Sequence, residues 1–491
     1  MKRTLVTFLA LLLIAIIVLE SCRRAKEPRA FVPVTSPSFA DDQLAESLFR
    51  KDQLLVFFKD APAPDRINRL MEALRKKGIS PDSINVRRCH SCGGYAELWS
   101  APGIHNVVSG EGVYAGTGGG GSKGVGEDSI ASYSLNFLIR PPIDQRDMQS
   151  DKEILAQSRR DVGIDIQSNR DTILVAVLDT GIDTTMLVDP RFLWTNTGEI
   201  SGGGDGDGNC YPGDRKGWNF LANSPDITED HPNLHGTLVS KYIINAMLNN
   251  PRNLVQIMPL KTHDNTGYGD LFSTVCALHY AIDQRADIIN ASWGFYFYEE
   301  DPHPYLSNLI TNVMKEKGIL FVTAAGNRME EADTYAKDLY FQTHGTNIPD
   351  SLLRNLSYHR FYPASLSNSE NNVLAVTTND KENVSPTQNY YSEFVNIGVL
   401  ADTVAPTFMK FRLPFKNATG YISGSSFATA ILTGAVAAHV PADQFSPGIK
   451  KASVLQWLET NSASSAIPLA VSRGPALESR KRIELGRYLG R

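Results

Sequence analysis

The chain has 491 residues, 42% of them hydrophobic, so it is long enough for two or three domains with sizeable cores, and wholesale disorder is excluded. Lysine and arginine total 48 against 53 aspartates and glutamates, a formal net charge of -5. That balance leaves no general basic surface and argues against nucleic acid as a partner.

In chain order, Lys2 and Arg3 precede an apolar run over residues 5–19, followed at once by Ser21 and Cys22. This is the layout of a secretory signal, and the run is shorter than the ~20 apolar residues of a spanning helix. Leu19, Ser21 and Cys22 resemble the lipobox of bacterial lipoproteins, with Cys22 as the acylated first residue of the mature chain, although Glu20 departs from the small residue common there. The alternative is an uncleaved signal anchor. Arg23, Arg24 and Lys26 balance the charges ahead of the run, so charge bias fixes no orientation. Either way the bulk of the chain is expected outside the cytoplasm, on the first reading as a cell-envelope lipoprotein.

Residues 23–40 are charged, proline-bearing and aperiodic, as in a tether. A small α+β domain is expected over 41–145: a strand at 53–60, an amphipathic helix at 64–78 stopped by Gly78, and a strand at 132–142 ended by Pro141 and Pro142. The glycine-rich stretch 116–126 lacks the G-K-[ST] of a phosphate loop and reads as a glycine hairpin. Cys89 and Cys92 form half of a zinc motif with no second pair, so a disulfide or free thiols are favoured over metal. An exported compartment permits disulfides among Cys89, Cys92, Cys210 and Cys276, although Cys276, inside a predicted helix over 273–286, reads by default as a buried inert thiol.

From residue 171 the pattern changes. Near-continuous apolar strands are predicted at 172–181, 254–261, 286–294, 318–327 and 371–379, alternating with helices such as 237–250 and 273–286. Buried strands alternating with helices imply an α/β domain, a parallel sheet with helices on both faces, over 146–491. Its chemistry is expected beyond the carboxyl ends of the strands. Asp179 and Asn327 end two strands, His235 opens a helix, and Ser425 and Ser426 stand where a glycine turn becomes a run of alanines and aliphatics. Taken singly, each residue reads as a turn, a cap or packing. Together they supply what a serine nucleophile needs: a histidine to remove its proton, a carboxylate to hold that histidine, and donors for the oxyanion.

The motifs "VAVLDTGID", "HGTLVS", "AAGN" and "GSSFATA", in the order Asp, His, Asn, Ser, resemble the subtilisin-like serine peptidases, or subtilases. The resemblance implies a serine endopeptidase acting through an acyl-enzyme, with Asp179 orienting, His235 as base and then acid, Ser426 as nucleophile and Asn327 as oxyanion donor. Catalytically silent peptide binding in the same cleft is the alternative, and an esterase a third reading. Leu238 and Ser240 depart from the common H-G-T-H-V-A, and Phe427 replaces the usual methionine after the nucleophile. Substrate is expected as an extended strand between Gly267, Tyr268 and Gly269 on one side and Ser292, Trp293 and Gly294 on the other. Ala325 and Gly326 would join the wall of the first specificity pocket.

The chemistry needs no cofactor. Asp205, Asp207, Asn209 and Asp214, in "DGDGNCYPGD", are either calcium ligands, as in similar insertions of bacterial subtilases, or a solvated acidic turn. The resemblance also implies that the N-terminal α+β domain is an intramolecular inhibitor and folding aid, cleaved between about residues 139 and 171. A retained accessory domain is the alternative. Cleavage of a lipid-anchored chain there is expected to release the protease. The expected partners are protein or peptide substrates, the chain's own N-terminal domain, and the membrane through the lipid.

Overall fold

Strands that bury four consecutive side chains must be covered on both faces, and β1 (Phe49–Phe58) does so with Leu54, Leu55, Val56 and Phe57. In the computed structural model it pairs antiparallel with β3 (Gly93–Ser100) and β4 (Ile130–Ile139), and β2 (Asn85–His90) closes the far edge in the order β2-β3-β1-β4. The structure describes residues 49–484 except 59–70, 91, 108–129, 143–144, 148–170, 200–203, 298–303, 469–478 and scattered shorter gaps. The signal, Cys22, the tether and the glycine-rich stretch therefore lie outside the described residues, as does most of the helix expected at 64–78. Residues 41–491 form one compact unit. Among the described residues no helix is long and apolar enough to cross a membrane.

The second sheet is built from β5 (Thr172–Asp179), β6 (Leu254–Lys261), β8 (Ile288–Ala291), β9 (Leu320–Ala324), β10 (Val373–Asn379) and β11 (Val395–Leu400). These strands run parallel in the order β11-β10-β9-β8-β5-β6, as their apolar runs imply. The two-residue strand β7 (Gly269–Asp270) belongs instead to the first sheet, where it pairs with the end of β4. Three helices matter for the site: α1 (His235–Asn245), α2 (Leu271–Asp283) and α4 (Ser425–His439), with α3 (Glu330–His344) lying between β9 and β10 in sequence. All 15 residues of α4 are buried, which a helix of alanine and aliphatic residues on every side requires. It packs on α1 and on the strands of the central sheet.

The first sheet lies on α2, and this contact overturns one expectation. Cys276 is not an inert thiol. It is disulfide-bonded to Cys89 of β2, and Cys92, in the β2–β3 turn, is bonded to Cys210. The Cα atoms stand 5.3 and 5.9 Å apart, a spacing suited to bridging. Both bridges join the N-terminal sheet to the segment that follows β5, across 187 and 118 residues of sequence.

Candidate active site

Asp179 closes β5 and His235 opens α1, so the two side chains meet at the carboxyl end of the central sheet. His235 Nδ1 lies 2.6 Å from Asp179 Oδ1, and both residues are buried. Burial by itself would raise the Asp179 carboxyl. The charge and hydrogen bond of His235, with help from His263 and the Thr180 N–H, outweigh it and hold the carboxyl below its ordinary value. A carboxylate bonded to Nδ1 leaves Nε2 as the reactive nitrogen. His235 Nε2 is buried and has no hydrogen-bond partner among the described residues.

Ser426 sits in the first turn of α4, behind Gly424, whose φ of 147° falls where a side chain is strained. Its single hydroxyl proton is shared between the carbonyls of Pro142 at 3.2 Å and Ser292 at 3.1 Å, and the serine–histidine hydrogen bond is not made here. Asn327 Oδ1 accepts from the Ser425 N–H at 3.1 Å and the Ser425 hydroxyl at 2.9 Å. These two bonds fix the amide, and its Nδ2 donor is buried with no partner among the described residues. A preoriented donor of this kind suits a charge that develops only during reaction.

The support behind these groups carries no local sequence signature. Buried Glu229 accepts from the Thr180 hydroxyl at 2.9 Å and from the Thr237 N–H at 3.1 Å, bracing the loops that carry Asp179 and His235. Burial first, and the Asp179 charge second, raise the Glu229 carboxyl. Tyr296 donates to the Asn327 carbonyl at 2.6 Å and accepts from Arg354 at 3.0 Å, while Arg354 also pairs with buried Asp333 of α3. Nothing in the local pattern around Glu229 or Arg354 signals these roles.

The two expected edges of the cleft hold a strand of the chain itself. Leu138 and Ile139 pair with Asp270 and Gly269, and Arg140 exchanges two 3.1 Å backbone hydrogen bonds with Gly294. Both glycines are required by close approach. A Cβ on Gly269 would meet the Thr262 carbonyl at 2.4 Å and Ile139 Cγ1 at 2.9 Å, and one on Gly294 would meet the Phe361 ring at 2.3 Å. Pro142 then reaches Ser426, and beyond it Gln145–Asp147 pairs antiparallel with Tyr421–Ser423. The chain is thus pinned on both sides of the serine. Ser292 donates to the Ser426 carbonyl at 3.0 Å, and Gly326 donates its N–H to the Ser425 hydroxyl at 3.2 Å. The Trp293 and Ala325 side chains are fully buried.

The acidic loop is assembled differently from its spacing. Glu199, Asp207 and Asp214 bring carboxylate oxygens within 4.8 Å of one another. Asn196 and Asn209 bond to both aspartates at 2.8 to 3.1 Å. Asp205 is turned aside to accept the Cys210 N–H at 3.0 Å. Three convergent carboxylates fit a hard oxygen-seeking cation such as Ca²⁺, while the Asn196 and Asn209 amides present their Nδ2 donors to the acids and turn their oxygens to the Gly198 and Tyr211 N–H groups. Burial raises the Asp214 carboxyl, the cost of holding these acids together.

A parallel sheet carrying Asp179, His235, Asn327 and Ser426 at its carboxyl end defines the class, and comparison with known proteins agrees with it. Residues 170–476 match the subtilase family (peptidase S8), and the chain belongs to that family. Over 223 residues it is 31% identical to subtilisin-like protease 1 of Plasmodium vivax, covering 43% of this chain and 32% of that protein. Over 269 residues it is 28% identical to a thermophilic serine proteinase of a Bacillus species, covering 54% of this chain and 51% of the relative. The chain thus spans about a third to a half of the length of these curated relatives. Its fold is similar to fervidolysin from Fervidobacterium pennivorans, a keratinolytic enzyme related to subtilisin (TM-score 0.51, 15% identity, 91% of this chain and 62% of that one). It is also similar to a mutant of the epidermin leader peptide processing serine protease of Staphylococcus aureus (TM-score 0.50, 16% identity, 89% and 98%).

Proposed function

We propose that the protein is an exported serine endopeptidase, held latent by its own N-terminal domain. The observation that carries this reading is the strand 138–142, which lies between the two cleft edges and delivers the Pro142 carbonyl to Ser426 beside the Asp179–His235 pair. In the proposed reaction the Ser426 oxygen attacks a substrate carbonyl carbon while His235 Nε2 takes the hydroxyl proton. Asn327 Nδ2 and the Ser426 N–H donate to the oxyanion. His235 returns the proton to the leaving amine, and water hydrolyses the acyl-enzyme by the same steps in reverse.

With Pro142 at the serine, the bond after Pro142 is the proposed processing site. The two disulfides alter what processing achieves, because a cut there leaves the N-terminal domain covalently attached through Cys89–Cys276 and Cys92–Cys210. If Cys22 carries lipid, the catalytic part stays on the membrane after cleavage instead of being released. Glu199, Asp207 and Asp214 would hold a structural Ca²⁺ that fixes this disulfide-bearing loop.

The test is labelling with a fluorophosphonate probe, wild type beside Ser426→Ala, after cutting the chain beyond Pro142 and reducing it. Labelling confined to wild type and mapped to Ser426 is expected. An unlabelled, folded wild type under those conditions would overturn the peptidase reading. Incorporation of an alkyne fatty acid that Cys22→Ala abolishes is expected for the anchor.

A further inference from the structure

The cleft strand does more than occupy backbone positions. If the bond after Pro142 is the one presented, Arg140 is the third residue before it. Ile139, the fourth, is fully buried against Gly269. The Arg140 guanidinium lies 4.0 Å from the centre of the Tyr268 ring, on the edge segment that holds β7. Its Nη1 is 3.8 Å from Glu331 Oε1, on α3. The Arg140 side chain is 21% exposed and that of Glu331 48%.

We infer that Tyr268 and Glu331 form a subsite that selects a basic side chain, arginine above lysine, at the third residue before the cleaved bond. This rests on the proposed peptidase reading and deepens it to a substrate class. A guanidinium is weakly hydrated and flat, so it stacks on an aromatic face at small desolvation cost, whereas an ammonium retains its water. The Tyr268 face is therefore the main contact, and it discriminates by shape as well as charge. Glu331 adds an attraction that salt screens, since the pair is wide and half exposed. The two contributions come from separate elements, the edge segment before α2 and the helix between β9 and β10.

The full-length chain offers its own assay, because the seated strand shields Ser426 and loosening it speeds fluorophosphonate labelling. Arg140→Gln and Tyr268→Ala are each expected to raise the labelling rate about 3- to 10-fold, with the double variant no faster than the quicker single one. Arg140→Lys should fall between wild type and Arg140→Gln, and the smaller effect of Glu331→Gln should fade at high salt. Ile139→Asp, which puts a charge into the buried position beside Gly269, serves as the control for the seated strand. If Ile139→Asp speeds labelling while Arg140→Gln does not, or if the double variant equals the product of the singles, the subsite is refuted and the seated strand stands. If Ser426 labels at one rate in every variant, the seated strand fails. If it labels in none, even after cutting and reduction, the peptidase reading fails as well.

Discussion

Severing the two disulfides in a chain already cut beyond Pro142 is the perturbation with the largest expected consequence. While Cys89–Cys276 and Cys92–Cys210 persist, the N-terminal domain cannot diffuse away, and strand 138–142 returns to the cleft as an intramolecular event. A short covalent link gives an effective concentration in the mM range, so at ~1 µM protein the link favours the blocked state about 10³-fold over two separate fragments. Reduction, or the double variant Cys89→Ser and Cys92→Ser, removes that factor on dilution. The bridges close loops of 187 and 118 residues, each worth up to ~5 kcal/mol in the chain-entropy treatment, so the uncut reduced protein should also unfold at lower denaturant. The assay is Ser426 labelling of cut protein with and without reductant, beside gels run both ways. The expected result is one band without reductant and two with it, and a labelling rate that rises by orders of magnitude on reduction. Fragments that separate without reductant would refute the reasoning, as would labelling indifferent to reduction in protein whose bridges are confirmed by mass.

Asn327→Ala is expected to lower turnover of a peptide substrate by about 10²–10³, the loss known for removing one oxyanion donor in another enzyme of this family, with little change in KM. Arg354→Leu removes the buried partner of Asp333, leaving it with the exposed Arg328 at 3.9 Å, and cuts the support of Tyr296 beneath Asn327, so a loss of about 3 kcal/mol in urea unfolding is expected. Burial, reinforced by the Arg354 charge, lowers the His359 imidazole to about 3, so its approach to Asp333 is not an ion pair. The unfolded chain binds that proton below its ordinary value of 6.5 and the native chain does not. This contribution to stability is therefore complete above 6.5 and is lost as pH falls towards 3, at up to ~1.4 kcal/mol per pH unit. Urea titrations of wild type and His359→Phe from pH 7 to 4 should converge with that slope, and parallel curves would refute it. Chelation of Ca²⁺ should lower the melting temperature of wild type, and Asp214→Asn should remove that sensitivity without a change at Ser426.

Part of this protein is legible without coordinates because chemistry restricts residue type. Asp179, His235, Asn327 and Ser426 stand in motifs whose order and local pattern, strand end or helix start, are properties of the chain alone. The parallel sheet is equally legible, since strands buried on both faces must be mostly apolar, as β5, β8 and β9 are. What the tertiary structure decided involves residues distant in sequence, where no local period carries the information. Cys276 looks like any helical core residue until β2 lies across α2 and brings Cys89 to it. Glu199 stands in the acidic cluster where alternate spacing points to Asp205, which accepts the Cys210 N–H instead. The Ser426 hydroxyl faces the Pro142 and Ser292 carbonyls, the first of them on a segment 284 residues earlier in the chain. Motifs record which groups the chemistry requires, and packing alone determines what covers them.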